Sequence, residues 1–410
     1  RASFRFRSPL RGPWLTSVFG AVLLVGLPVV TLTGLLSYIA YGPQFGQAMP
    51  ADVGWLRLPQ FDWPTDPSWL YRLTQGLHVG LGLVLVPVVL AKLWSVIPKL
   101  FSTPPIRSIA QALERLSLIA LVGGILFEIT TGVLNIQYDY IFGFSFYTAH
   151  YWGAWVFIAG FVSHASLKTP LMIRSLRGRS LMKVLQDRQS EQETGDSDLI
   201  ADDPSAPTIS RRGALALVGG GALFVGAITV GQTAGGVMRN TAILLPRGRS
   251  YGDGPNDFQI NRTARAAGIS ADDVDDAWAL ELTGGGTPVT FSRNDLLAMP
   301  QHTAELPIAC VEGWSTVQTW TGVRLRDLTA RAGVEDPSSA LVASIEENGA
   351  FNRSTLHAGQ VLHPDSLLAL RVNGVDLSLD HGYPARIIVP AMPGVRNTKW
   401  VRSIEFREAR

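Results

Sequence analysis

Ser210-Arg211-Arg212-Gly213 opens the run SRRGALALVGGGALFVGAITV, residues 210–230, and this run divides the chain. After its two arginines it carries no charge, and its Gly- and Ala-rich stretch from Ala214 to Val230 reads as a short, weakly hydrophobic span. Crossing about 30 Å of hydrocarbon takes about 20 apolar helical residues. Four stronger candidates precede it, at about Trp14–Ile39, Leu73–Trp94, Leu116–Leu134 and His150–Ser166. Beyond residue 240 the pattern changes. AWALELTG, TPVTFS, LVASI, LLALRVNG and ARIIVP read as short strands between Gly, Asn, Asp and Pro turns, and RNDLLAMP and LRDLTARAG as short helices. The expected fold is therefore a membrane α-helical bundle, four helices plus a fifth anchoring helix, joined to an α+β, β-rich domain.

Composition agrees with two unlike halves. Of 410 residues, 47% are hydrophobic and only 17% charged, against about 25% charged in an average soluble chain. Mean hydropathy is +0.19. These values exclude a disordered chain and speak against a wholly soluble enzyme. Residues 1–180 hold 14 Lys/Arg and 6 Asp/Glu; the remainder holds 21 and 27. A basic membrane half and a mildly acidic half give no nucleic-acid footprint. The single cysteine, Cys310, excludes an intrachain disulfide. The expected division is a four-helix membrane domain over 1–180, a polar cytoplasmic linker over 181–210, the fifth helix over 211–239 and a separate domain over 240–410.

Basic residues set the expected topology. Arg1, Arg5, Arg7 and Arg11 precede the first span, Lys99 and Arg107 come after the second, and Lys168, Arg174, Arg177, Arg179 and Lys183 after the fourth. The opposite loops hold Arg57 and Arg72 against Asp52, Asp62, Asp66 and Asp139. The positive-inside rule puts the N-terminus in the cytoplasm. Trp55, Trp63 and Trp69 then lie in an outer loop, where interfacial Trp belongs. Arg211-Arg212 before a weakly hydrophobic segment resembles a twin-arginine export signal. Five spans from an inside N-terminus independently deliver residues 240–410 to the outer face. The expectation is a multi-pass protein of a prokaryotic plasma membrane with an extracytoplasmic C-terminal domain.

Three histidines, His78, His150 and His164, fall in or beside apolar spans, where an ionisable side chain is expensive and marks function. His150 and His164 are fourteen residues apart on one helix, so about 21 Å apart along its axis and on nearly the same face. His78 enters the second span from the side on which His150 begins the fourth, so the two suit one bis-histidine heme. This pattern resembles the four-helix b-type cytochrome subunits of formate dehydrogenases and hydrogenases. The resemblance implies heme b on His78 and His150, with His164 as the candidate ligand of a second, inner heme. The first span has no histidine to face His164; Lys92 lies at about its depth on the second. Glu128, mid-span, reads either as a proton carrier or as a protonated packing residue.

Cys310 lies in Ile308-Ala309-Cys310-Val311-Glu312-Gly313-Trp314-Ser315, followed by Trp320, Gly322, Val323 and Leu325. A lone exported thiol is a liability unless it is occupied, and a soft thiolate suits a redox transition metal. A second segment runs His381-Gly382-Tyr383-Pro384-Ala385-Arg386, then Gly394, Asn397-Thr398-Lys399 and Trp400. Together the segments resemble the sulfite oxidase superfamily, in particular its periplasmic methionine-sulfoxide reductase catalytic subunits. The resemblance implies molybdenum–molybdopterin, with Cys310 as metal ligand. Asn256, His381, Arg386, Asn397, Thr398 and Lys399 would be the cofactor contacts, Arg386 holding the phosphate. Trp314 and Ser315 stand where sulfite oxidases place anion-binding arginines, which argues against sulfite. Ser344 lies near where the reductases have a pocket threonine.

The parts compose one device: a molybdopterin-dependent oxidoreductase performing oxygen-atom transfer, with sulfoxide reduction as the suggested chemistry. Electrons would pass through heme b to or from membrane quinone. The alternative is a non-catalytic heme-binding membrane scaffold with a degenerate molybdenum domain used for interaction. A transporter or sensor is a third class, against which the lack of repeated halves speaks.

Overall fold

The computed structural model describes residues 8–42, 61–100, 108–136, 146–178, 180, 182, 206–245, 252–347, 349 and 351–408. Trp55, the linker from 183 to 205, and the topology residues Arg1, Arg5, Arg7, Asp52, Arg57, Arg107, Asp139, Arg179 and Lys183 lie outside them. The long helices are α1 (Pro13–Tyr41), α2 (Leu70–Leu100), α3 (Ile109–Asn135), α4 (Phe146–Arg177) and α5 (Arg211–Ala227). Five helices among the described residues are long and apolar enough to cross a membrane. The first four outrun the spans read from hydrophobicity, while α5 begins earlier, at Arg211, and ends at Ala227. In α4 the extension ends in Arg174 and Arg177, cations that favour a helix C-terminus. Contacts divide the chain into two compact units, residues 1–32 with 78–228 and residues 33–77 with 229–410.

In the first unit, Ser108 and Ser210 cap α3 and α5, their hydroxyls accepting from Gln111 N at 3.2 Å and Gly213 N at 3.0 Å. Small residues let α3 and α4 meet backbone to backbone. A Cβ on Gly160 would lie 2.6 Å from Leu121 N, and one on Gly124 would lie 2.9 Å from Phe157 Cα. Close approach at glycine is how helices associate where hydrophobic burial supplies no contrast with lipid. Leu116, Ile119, Val162, Leu217 and Leu223 point outward, as suits an apolar surrounding.

The second unit contains two five-stranded sheets. The first has the order β2-β1-β10-β5-β6, from Val289–Ser292, Ala279–Thr283, Val401–Glu408, Pro337–Ser344 and Arg353–His357. The second has β3 (His302–Ala309), β4 (Ser315–Arg324), β7 (Leu367–Val372) and β8 (Val375–Asp376) in that order, with β9 (Arg386–Ile388) on β7. Every strand and short helix expected from the sequence is present. Alternation of buried and exposed residues in β1 aims Leu280 and Leu282 into a core with Val342, Leu356, Ile404 and Phe406. β1 pairs parallel with β10, Leu282 opposite Ile404, so the last strand closes against the first. Asn373-Gly374, both with positive φ, turn β7 into β8.

Replacing Gly160 with Val should force α3 and α4 apart and destabilise the first unit by about 1–3 kcal/mol, the usual cost of overpacking. Thermal unfolding in detergent checks this against Gly80→Ala, whose added Cβ meets nothing within 4 Å and should leave the midpoint unchanged.

Candidate functional site

Cys310 begins the turn of the β3–β4 hairpin. Its N–H donates to Trp314 O at 2.9 Å, its carbonyl accepts from Gly313 N at 3.0 Å, and its side chain is buried. Pairing along the whole hairpin, from His302↔Gly322 to Ala309↔Ser315, fixes where the turn falls. Ala309 then bridges to Pro393 in the segment after β9. This contact needs Gly394, since a Cβ there would lie 2.9 Å from Ala309 O. The cysteine and the 386–399 segment, about 70 residues apart in sequence, thus meet through backbone.

That segment is lined with buried cations. Arg386 donates to His381 O at 3.0 Å and Asn397 O at 3.3 Å, and its guanidinium lies 5.1 Å from the Trp320 ring centre. Lys399 Nζ donates to Asp380 O at 2.8 Å and to Arg262 O. Arg396 donates to Ala40 O at 2.8 Å and to Thr355 O. Among the described residues none of the three forms an ion pair with a carboxylate. Nε of Arg386 and of Arg396 are buried without an acceptor. Loss of hydration pushes Arg386 down to about 9 and Arg396 to about 10, and holds Lys399 well below the usual ammonium range. Lys399 also feels the carboxylates of Asp380 and Glu346. Buried charge without an ion-pair partner is costly, so Arg386, with its spare buried Nε, marks a place for an anionic group.

The remaining expected contacts hold this segment in shape. Asn397 Oδ1 accepts from Val389 N at 2.9 Å, and Thr398 O from Ile387 N at 2.8 Å. Asn256 uses its side chain on Asp376 O and Ser378 N, while its carbonyl accepts from His381 Nε2 at 2.8 Å. His381 stacks on Phe258 at 3.7 Å between ring centres. Burial first, then the Arg386 charge, pushes His381 down to about 3, so it is neutral. Ser344 donates to Lys399 O at 2.8 Å. Arg396 escaped the sequence reading, although it stands beside Asn397 as the second arginine of an otherwise apolar stretch.

A second cluster lies in the first unit. The rings of His78 on α2 and His150 on α4 have centres 6.1 Å apart and perpendicular planes. His78 Nδ1 donates to Val30 O at 2.9 Å, which leaves Nε2 for a ligand. His150 Nδ1 is 2.9 Å from Thr131 Oγ1 and 3.2 Å from Glu128 Oε2, again sparing Nε2. Engagement of one ring nitrogen by a carbonyl, hydroxyl or carboxylate is typical of metal-bound histidine. His164 lies further along α4, and Lys92 donates to Thr16 O at 2.7 Å.

Residues 267–410 match the family model of the oxidoreductase molybdopterin binding domain. The C-terminal region is thus similar to the molybdopterin-binding domains of oxidoreductases such as sulfite oxidase. The uncharacterized oxidoreductase YuiH of Bacillus subtilis (strain 168) is 34% identical over 131 residues, 32% of this chain and 65% of its own length. Mitochondrial sulfite oxidase of Drosophila melanogaster is 29% identical over 152 residues, 31% of this chain and 26% of that protein. The chain therefore spans less than two thirds of these relatives. The sulfane dehydrogenase SoxCD from Paracoccus pantotrophus is 26% identical over 34% of this chain and 40% of that one, with a TM-score of 0.31. The residues present fit an anionic pterin: the turn carrying the buried Cys310 meets, through backbone, a segment in which Arg386 keeps a buried Nε without an acceptor.

The depressed His381 makes stability depend on pH. Between about pH 6.5 and 3 the unfolded chain binds a proton at this site that the folded one refuses, so stability falls as pH is lowered through that window. The whole effect is on the order of 5 kcal/mol. Trp-fluorescence unfolding of the wild type and His381→Asn from pH 7 to 4 should show the shallower decline in the variant.

Proposed function

We propose that the chain is a membrane-bound molybdopterin oxidoreductase whose extracytoplasmic domain transfers an oxygen atom to or from a small substrate, a sulfoxide being the class suggested by sequence. The observation that carries this is the meeting of the buried Cys310 turn with a loop whose Arg386 and Arg396 each keep a buried Nε without an acceptor. When bound, the molybdenum cofactor supplies a two-electron centre able to exchange an oxygen atom. Cys310 offers it a thiolate, and the hairpin holds that thiolate in one place. Arg386 offers its spare Nε to the pterin phosphate, a charge-assisted contact. Neutral His381 keeps the 376–381 segment tied to Asn256 without adding charge.

On this reading His78 and His150 hold one heme b, which supplies a one-electron step between the domain and membrane quinone. The spare Nε2 atoms and second-nitrogen partners of the two rings support it. His164 with a second heme gains no comparable support, since Lys92 at its depth is engaged with Thr16. The five apolar helices support residence in a membrane, with the twin arginine Arg211-Arg212 directing the domain outward.

Cys310→Ser should abolish oxygen-atom transfer in a methyl-sulfoxide assay, lowering kcat at least a hundredfold, while pyridine-hemochrome heme content stays at the wild-type value. Retention of transfer would remove Cys310 from the metal.

His78→Ala and His150→Ala should each eliminate the same heme, and His164→Ala should leave the hemochrome yield and Soret spectrum unchanged. Absence of heme from the purified wild type would refute the heme assignment while leaving the molybdenum one standing.

A further inference from the structure

The family match begins at residue 267, yet side chains from far upstream hold the Cys310 turn. Within the second unit, Gln75 on α2 donates from Nε2 to Val311 O, the carbonyl next to Cys310. Thr233 Oγ1 donates to Gly313 O at 2.6 Å, and Arg239 donates to Ser315 O. Every second residue of the turn, from Val311 to Ser315, thus gives its carbonyl to a side chain outside the matched domain. The cofactor loop is held likewise. Trp63 Nε1 donates to Ala391 O at 2.8 Å, and Ala391, at φ 56°, donates to Ser68 O at 3.1 Å.

Gln75 is the contact nearest the thiol, and its amide is not free to flip. Ser37 on α1 donates from Oγ to Gln75 Oε1 at 2.6 Å, which leaves Nε2 to face Val311. Both side chains are buried, Gln75 at 3% exposure and Ser37 at 7%. An apolar pair would fill a helix-end contact at less cost, since each buried polar group must be hydrogen-bonded to avoid a desolvation penalty. Tyr71, one turn before Gln75, is also buried, donates to Tyr41 at 3.1 Å, and lies within electrostatic range of Cys310. Of these polar groups Gln75 is the one that reaches the backbone of the thiol's turn, and Ser37 orients it.

We propose that Gln75, oriented by Ser37, is a positioning residue of the molybdenum site: it fixes the Val311–Glu312 peptide, and with it the turn that aims the Cys310 thiolate. The inference rests on the molybdenum reading above and extends the active site beyond the matched domain into the helices α1 and α2. Losing the hydrogen bond frees the peptide to rotate, so the metal's electronic environment changes while the cofactor remains bound.

The test uses the full-length protein purified in detergent. Molybdenum and pterin content, the Mo(V) electron paramagnetic resonance spectrum and steady-state kinetics with a methyl sulfoxide are measured for wild type, Gln75→Leu and Ser37→Ala. Gln75→Leu should keep its molybdenum, shift the Mo(V) g-values, and lose about tenfold or more in kcat with KM changed less than twofold. Ser37→Ala should move both readouts in the same direction by less, and Ser37→Thr should restore them. If Gln75→Leu does not accumulate, Ser37→Ala decides on the same readouts. A molybdenum-loaded Gln75→Leu with wild-type g-values and kcat overturns this inference alone. A wild type without molybdenum overturns the reading beneath it.

Discussion

The backbone contact between Ala309 and Pro393 is the constraint on which the candidate site depends. It joins the end of β3 to the segment after β9, and it exists because Gly394 has no Cβ to strike the Ala309 carbonyl. Given that contact, a residue one position beyond β3 has to lie beside the 386–399 loop, and that residue is Cys310. The hairpin register, fixed over eight pairs, leaves the thiol no other place. Arg386 and Arg396 in that loop each keep a buried Nε without an acceptor, a cost that an anionic ligand would relieve, coupling its binding to stability.

The helical half obeys a different rule. There the contact of α3 with α4 is set by small residues, Gly124 and Gly160, at which the backbones approach closely. Two sets of polar side chains lie on the long helices. His78, His150, Glu128 and Thr131 form one linked set, and Ser37, Tyr41, Tyr71 and Gln75 form another. Gln75 and His78 are one turn apart on α2, so a single helix carries a member of each set.

Much of this was legible in the sequence because its signals are local. The five apolar runs, the short strands of the C-terminal domain and the helices at Arg293–Ala298 and Leu325–Arg331 are dictated by hydrophobic period and turn residues. Cys310 was legible as a lone thiol, and Arg386 and Lys399 through the resemblance of the 381–400 segment to a known family. The pairing of His78 with His150 came from depth along the helices. Residues 33–77 grouping with the C-terminal domain was not legible, since it depends on Trp63, Gln75 and Ser68 meeting partners more than 230 positions away. No periodicity reports such a contact. Asn256 shows the converse: the sequence marked it as a cofactor contact, and in the fold its side chain ties down the strand end at Asp376 and Ser378.

The central claim is that Cys310 ligates molybdenum within the cation-lined loop. Molybdenum K-edge X-ray absorption on the purified protein addresses it most directly. The account predicts molybdenum at about one atom per chain with a sulfur shell that loses one scatterer in Cys310→Ser. A sulfur shell identical in the two proteins, or a fully expressed wild type that carries no molybdenum, would contradict it.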